Sequence, residues 1–436
     1  MTPRWVIYQL HRLLGISAGV VLSVMGVTGA IMAFDDEIMT AWSPGIVAVP
    51  ARTGAAALSP DELLARFIEQ SPGSIPTKLT VFPEPGKSAR LIYRPRSAEP
   101  LIGEEDNTEG TYLDPYTGTV LGKAVGERFF DTVRSLHRFL LLPHNRGGAG
   151  RPITAFAAGC LVFFALSGLY LRWPRGRVLE WRAWLKPDLA RRGRSLYWSL
   201  HTVAGTWVFL VFLVFAITGP TFGYDGYRDE LTALLTGTTL PPAKSVSAST
   251  QKRQADDGGQ PHSDSQPNGS RQPTTDSQPA RSGQFTVESR APAPLDTVWD
   301  AFRAAVHTDV TTVLFPVSQK PTPTVTVRYL TRDSPHYRAY NEITLERNSG
   351  KVLSHALYAR QSVGKQISIG MLSVHRGKVF GVAGEIVFML AALGLPLQCI
   401  TGYLLYIDRR RKKARAHAAG RTARHAVHFE STSRRL

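Results

Sequence analysis

Four histidines, His11, His137, His201 and His375, stand at or near the mouths of the four long apolar segments of this chain. Imidazole is the common axial ligand of haem iron, and two imidazoles on one iron leave no open position, which suits electron transfer rather than oxygen chemistry. Three of the four are followed by arginine (Arg12, Arg138, Arg376), the side chain suited to haem propionates through charge-assisted hydrogen bonds. For one histidine alone, the plainer reading is an interfacial residue bonded to water or lipid; four at repeat-related positions favour haem ligands, hence two haems. Two substitutes compete at one end: His144, beyond Pro143 from His137, and Met371, one turn before His375.

The elements that must position these residues are apolar spans. Residues 13–34, 153–171, 203–222 and 379–407 are each long enough to cross roughly 30 Å of hydrocarbon as helix. The loop Arg172 to Arg194 carries eight Lys/Arg against Glu180 and Asp188, and the tail from Asp408 carries ten against two acids. By the positive-inside rule both stay in the cytoplasm, and both large polar segments lie outside, in the periplasm of a bacterium. The expected order is then a first-span region 1–35, a periplasmic unit 36–136, an interfacial helix with the second span 137–173, and a basic loop 174–200. A third span 201–225, a second periplasmic unit 226–374, a fourth span 375–408 and a basic tail 409–436 complete it. The first segment is expected to stay as an anchor, because no small-x-small cleavage site precedes Asp35. In this topology His11 and His201 face the cytoplasmic end and His137 and His375 the outer end, so the pairs are His11 with His201 and His137 with His375.

The net charge of +17 is mostly that loop and tail, without an aromatic-rich surface beside it, so it points to topology and anionic lipid rather than to nucleic acid.

The chain is a tandem repeat. His11, Gly15, Thr28-Gly29 and Phe34-Asp35 recur with identical spacing as His201, Gly205, Thr218-Gly219 and Tyr224-Asp225. The second and fourth spans match through Ser167-Gly168 and Thr401-Gly402. The outside segments repeat as well: Asp114 to Leu121 aligns with Glu346 to Leu353, each a hairpin turn with Gly118 or Gly350 supplying positive φ. Ser59-Pro60-Asp61-Glu62 is a helix start with a capping box. Alternating strands are expected at Lys78 to Phe82, Arg90 to Arg94 and Thr324 to Leu330, with a second helix near Leu295 to Val306. Each outside segment is thus expected to be its own small α+β unit. Residues 241–284, with Gln-Pro recurring and no aromatic residue, are expected to be a disordered insertion.

Other residues carry weaker signals. Glu385 is the only acid within a span, suited to proton balance or a quinol, or merely interfacial. Asp35 and Asp225, at one repeat position, are expected to cap helices or face headgroups rather than hold a ferric ligand. Cys160 and Cys399, at non-equivalent positions, are expected as small apolar residues, not a disulfide. No Gly-x-Gly-x-x-Gly follows a strand, so electrons must come from a cytoplasmic partner or from membrane quinol.

With its paired outside motifs and its "LHRLLG", "LHTVAG" and "SVHRGKVFG" helix starts, the chain resembles the PepSY-associated transmembrane family over nearly its whole length. The resemblance implies a membrane α-helical protein: a four-helix transmembrane bundle built from two tandem repeats, each with a small periplasmic PepSY-like α+β domain. It further implies a bacterial inner-membrane oxidoreductase with b-type haems, reducing iron in a ferric siderophore at the periplasmic face. Two other classes stay open: a membrane-anchored peptide-binding or protease-regulating protein, and a permease. The repeat has the same topology in both halves and the spans lack a polar path, which counts against the permease.

Overall fold

The computed structural model describes residues 2–52, 54–95, 108–143, 148–173, 184–238, 294–317 and 322–433, with side chains to residue 418. His144 and the insertion 241–284 lie outside the described residues, as does part of the basic loop.

Among the described residues, three helices are long and apolar enough to cross a membrane: α1 (Pro3–Ile31), α5 (Gly150–Arg172), and the first part of α12 (Gly381–Ser433), within Lys378–Ala418. Between the second and third of these come α6 (Arg194–Trp207) and α7 (Phe209–Thr218), the latter running on to Phe222 as one 3-10 turn. The third apolar segment, expected as one straight span over 203–222, is instead this pair, bent by 63° at Val208. The Arg172 guanidinium from α5 donates to the Thr202 carbonyl and the Thr206 hydroxyl just before the bend. α1 packs against α5 and α12, α12 against α6, and α5 against α7. At Gly26 a Cβ would lie 2.5 Å from the Ala392 carbonyl, so only glycine permits the α1–α12 approach beside Pro396.

Five short helices carry the chain out of and back into these spans. They are α2 (Asp35–Trp42) and α4 (Glu127–Phe139) in the first half, and α8 (Asp225–Thr236) and the run α10 (Val363–Ile369) and α11 (Met371–His375) in the second.

The outside segments were expected as two units; they form one. β1 (Ile75–Val81), β2 (Ala89–Arg94), β3 (Glu109–Leu113) and β4 (Val120–Gly122) come from the first segment, and β5 (Val310–Pro316), β6 (Thr324–Thr331), β7 (Asn341–Glu346) and β8 (Val352–Ala356) from the second. Together they make a single antiparallel sheet of order β4-β3-β2-β1-β5-β6-β7-β8. The seam is β1 with β5, Leu79 opposite Phe315 and Thr80 opposite Leu314. Two separate meanders would each expose their first strand as an edge; joining them satisfies both. One face buries Leu79, Leu91, Leu113, Val313, Phe315, Val327, Ile343 and Leu345 under α3 (Pro60–Gln70) and α9 (Asp296–Ala305). The two helix starts hold each other. Asp61 accepts from the Leu295 and Asp296 amides at 2.7 and 2.8 Å, and Asp296 accepts from the Ser59 hydroxyl at 3.1 Å. The capping box at Ser59 and Glu62 is present, and Gly118 and Gly350 sit at φ +70° and +68°.

Candidate functional site

Each of the four histidines meets a hydroxyl on another helix, always through Nδ1. His11 Nδ1 lies 2.7 Å from Ser167 Oγ, His137 Nδ1 3.0 Å from Thr28 Oγ1, His201 Nδ1 3.0 Å from Thr401 Oγ1, and His375 Nδ1 2.6 Å from Thr218 Oγ1. A hydroxyl has one hydrogen to give, and here each gives it to its own helix. Thr28 donates to the Val24 carbonyl at 2.7 Å, Ser167 to Phe163 at 2.5 Å, Thr218 to Val214 at 2.6 Å and Thr401 to Leu397 at 2.7 Å. The hydroxyl oxygen is therefore an acceptor toward the ring, Nδ1 carries the proton, and Nε2 keeps its lone pair. This is the tautomer that a metal-ligating imidazole requires, with its outer nitrogen oriented by a second partner.

The residue after each hydroxyl is glycine, and the ring lies against it. A Cβ on Gly29 would stand 3.2 Å from His137 Cε1, on Gly402 3.4 Å from His201 Cε1, on Gly168 3.7 Å from His11 Cε1, and on Gly219 3.9 Å from His375 Cε1. The pairs Thr28-Gly29, Ser167-Gly168, Thr218-Gly219 and Thr401-Gly402 are thus four copies of one seat: hydroxyl to fix the ring, glycine to admit it. They are visible in the sequence only as markers of the repeat.

The rings gather at two levels. His11 and His201 are 6.4 Å apart between ring centres, with planes at 77°. A metal–imidazole bond is about 2 Å, so two rings sharing one metal ion stand with centres about 6 Å apart. His137 and His375 lie together at the sheet end, both lining a cavity of about 580 Å³, within the size range of small-molecule sites. From His11 to the Thr28 seat of His137 is seventeen residues of α1, or about 25 Å at the helical rise. Leu22, Leu161, Phe164, Phe212 and Phe215 fill the space between.

His137 is the last-turn residue of α4, and the chain leaves that helix through Leu140 and Leu141 at φ +56° and +57°. Two consecutive left-handed leucines cost about 1–2 kcal/mol each; the turn drops the Phe139 backbone onto Gly150, where any side chain would clash. After His375 the same reversal uses Gly377 at φ +74° and Gly381 at φ +65°.

The arginines behave unequally. Arg138 lines the cavity and lies over the Phe139 ring at 5.0 Å. Arg376 also lines it, yet its guanidinium is bound to Asp35 and to the Met32 carbonyl, so its charge is already answered. Arg12 stands at the other level over the rings of Tyr8 and Tyr406. Arg134, Arg151, Arg228 and Arg338, without a distinguishing sequence signal, line the same cavity. Met371 lines it too.

Asp35 and Asp225 part company despite their shared repeat position. Asp225 is exposed and pairs with Arg228 at 3.1 Å. Asp35 was expected at the headgroups or as a cap; its side chain is 3 % exposed and holds Arg376 and Arg134, because α4 and α11 close over it. Glu385 is buried, and Lys378 stands 3.5 Å from it, while the same ammonium reaches Glu37 at 3.2 Å. Cys160 and Cys399 are free thiols. Among the described residues, no group of three or more His, Cys, Asp or Glu is placed to hold a metal ion, so imidazole pairs are the metal-binding elements on offer.

The family described as the PepSY-associated TM region matches residues 8–409. No curated protein matches the chain.

Proposed function

The chain belongs to the PepSY-associated TM family, and from that premise we propose that it is an inner-membrane electron-transfer protein with two b-type haems that reduces ferric iron held by a siderophore. In this reading the three apolar helices and the bent pair α6–α7 form a four-span bundle of two tandem halves. The basic loop and tail lie in the cytoplasm, and the sheet lies in the periplasm.

The observation that carries the proposal is the fourfold seat. A protein with no use for Nε2 has no reason to fix Nδ1–H four times with a hydroxyl whose own proton is committed. Pairs of imidazoles alone make poor metal sites; they suffice once a porphyrin supplies the other four donors. A bound haem would supply a one-electron iron couple at each level. The chain's own contribution is orientation: Ser167 and Thr401 hold His11 and His201 at the inner level, and Thr28 and Thr218 hold His137 and His375 at the outer. The glycine seats let the rings approach, and the apolar side chains between the levels exclude water. The arginines of the outer cavity offer charge to propionates, with Arg138 the sequence-marked candidate there and Arg12 at the inner level. Electrons arrive from membrane quinol or a cytoplasmic partner. The ferric chelate gains one electron, and ferrous ion, bound far less tightly by oxygen donors, is released.

The test is the oxidised and dithionite-reduced visible spectrum of the purified protein with haem quantified per chain, repeated for His11→Ala and His137→Ala. Two low-spin haems in the parent and one in each variant are expected, with ferric-siderophore reduction lost in both variants. A haem-free parent, expressed with ample haem, would leave the peptide-binding regulator as the better reading.

A further inference from the structure

One carboxylate beside the outer histidines has no part in the site described above. Glu385 lies in the first turns of α12 with 9 % of its side chain exposed, and its Oε2 is buried without a hydrogen-bond partner. Lys378 Nζ stands 3.5 Å from that oxygen as an ion pair, and the Lys378 side chain is itself 10 % exposed. The same ammonium reaches Glu37 Oε1 at 3.2 Å and Asp36 Oδ2 at 3.9 Å, and both of those side chains are more than half exposed. A buried acid is thus joined to two solvated ones through a single ammonium. The start of α12 is pressed onto the turn that carries Lys378: a Cβ on Gly384 would lie 2.3 Å from the Gly377 carbonyl.

Of the other charged and titratable groups around this turn, α2 supplies Asp35, α4 Arg134 and His137, α11 His375 and Arg376, and the β6–β7 connection Tyr337. Asp35 is taken up by Arg376 and Arg134. The Tyr337 ring lies 5.4 Å from Lys378 Nζ, its hydroxyl buried without a partner. One ammonium therefore serves three carboxylates, of which Asp36 and Glu37 have water and Glu385 has Lys378. A carboxyl at membrane depth must be paired or carry a proton. Glu385 has both states within reach: Lys378 turned to it, or a proton on Oε2 with Lys378 turned to Glu37. The group also stands close to the outer pair along the chain and through packing. Lys378 follows His375 by three residues; Phe388, three after Glu385, packs on Phe215 at 5.5 Å, and Phe215 on His375 at 5.3 Å.

We infer that Glu385 is a proton site linked to the charge at the outer histidine pair, filled from water on the sheet side through Glu37 and Lys378. The inference rests on the proposed reductase for the electron, which membrane quinol or a cytoplasmic partner supplies. As one electron reduces the outer iron from ferric to ferrous, Lys378 Nζ gives a proton to Glu385 Oε2, an N–H bond breaking and an O–H bond forming. The amine regains a proton from Glu37, and Glu37 regains one from hydronium in the water outside. When that electron leaves for the ferric chelate, the proton returns by the same groups, so a full cycle carries one electron and no net proton. The physical reason is repulsion: an electron added among apolar side chains disfavours a neighbouring carboxylate, and a proton on Glu385 cancels the added charge.

The experiment is a spectroelectrochemical titration of the haem-loaded full chain in nanodiscs at a series of pH values, for the parent, Glu385→Gln and Glu385→Asp. One of the two parent potentials, the one missing from His137→Ala, should fall as pH rises, by up to tenfold in the reduction equilibrium per pH unit, or about 59 mV for one electron. Glu385→Gln should flatten that slope and leave the other haem unchanged, and Glu385→Asp should retain it. Reduced-minus-oxidised infrared spectra supply the second readout: a protonated carboxyl band should rise on reduction in the parent and be absent from Glu385→Gln. A purely structural ion pair would move haem content and thermal midpoint, but neither the slope nor the band. A slope that survives Glu385→Gln belongs to a propionate or another acid and overturns the inference, as does a parent without the carboxyl band. If Glu385→Gln takes up no haem, Glu385→Asp decides, because the band must shift with the altered side chain, and an unshifted band overturns the inference. A haem-free parent sinks the reductase and this inference together; haem with ferric reduction but a pH-independent outer potential sinks the inference alone.

Discussion

Replacing Thr28 and Thr218 together by valine removes both acceptors at the outer histidine pair while keeping side-chain shape. Each hydroxyl oxygen receives an Nδ1–H, at 3.0 Å from His137 and 2.6 Å from His375. A net hydrogen bond contributes about 0.5–1.5 kcal/mol. At His375 valine leaves Nδ1–H without its hydroxyl partner among apolar neighbours, so the loss there falls in the upper half of that range, while His137 keeps the Met25 backbone oxygen and falls in the lower half. The two sum to about 2 kcal/mol, or roughly 30-fold in affinity at about 1.4 kcal/mol per decade. That agrees with the 10- to 100-fold cost of losing an outer-shell partner of a ligating histidine, about the same scale measured a different way. The assay is titration of haem into protein depleted of it, with the inner site serving as internal control because Ser167 and Thr401 are untouched. The outer site should weaken by about 30-fold, the inner site should be unchanged, and Thr28→Ser with Thr218→Ser should restore the parent value. Nitrogen chemical shifts of the histidine rings supply a second readout: the parent should hold all four as Nδ1–H tautomers, and the double valine variant should lose that uniformity at His137 and His375. Unchanged outer-site affinity and unchanged tautomers would refute the argument that these hydroxyls orient the ligands.

Two further outcomes follow from charges at the junction of bundle and sheet. Asp35→Asn leaves Arg376 and Arg134 without their shared carboxylate; breaking a buried pair costs about 3–5 kcal/mol, so the thermal midpoint in detergent should fall by several degrees, and an unmoved midpoint contradicts the structural role. Glu127 is held above its ordinary 4.5 by burial, with Arg90 the main opposing charge. An acid whose folded value is raised favours the fold while protonated, so this contribution is lost as pH rises through the shifted value. Between about pH 4 and pH 7 the denaturant midpoint of the parent should therefore carry a falling component that Glu127→Gln removes; equal slopes in the two proteins would count against it.

Much of the local architecture is legible in the sequence because it depends on residues near one another. Span length follows from apolar runs, and the capping box at Ser59 and Glu62 and the turn glycines Gly118 and Gly350 are three- to five-residue signals. The third span is the exception among the helices. Its apolar run is continuous and does not mark the bend at Val208, before which Arg172 of another helix holds the Thr202 carbonyl across thirty residues. Two outside units were the natural reading of two similar segments, but a strand's edge seeks a partner wherever one is available, and β1 finds β5.

At the site, the four histidines and their division into two levels could be inferred from position and repeat. Their acceptors could not. His11 meets Ser167 across 156 positions, His137 meets Thr28 across 109, His201 meets Thr401 across 200, and His375 meets Thr218 across 157. The sequence by itself determined which side chains recur with the same spacing, which segments suit hydrocarbon, and where basic residues accumulate, since those are properties of the chain read along its length. Only the tertiary structure decided that hydroxyl and glycine form a seat for a ring, that Asp35 is buried where Asp225 is exposed, and that β1 of one outside segment pairs with β5 of the other. Each of those depends on helices and strands far apart in the sequence being brought together, and packing, not periodicity, selects the partner.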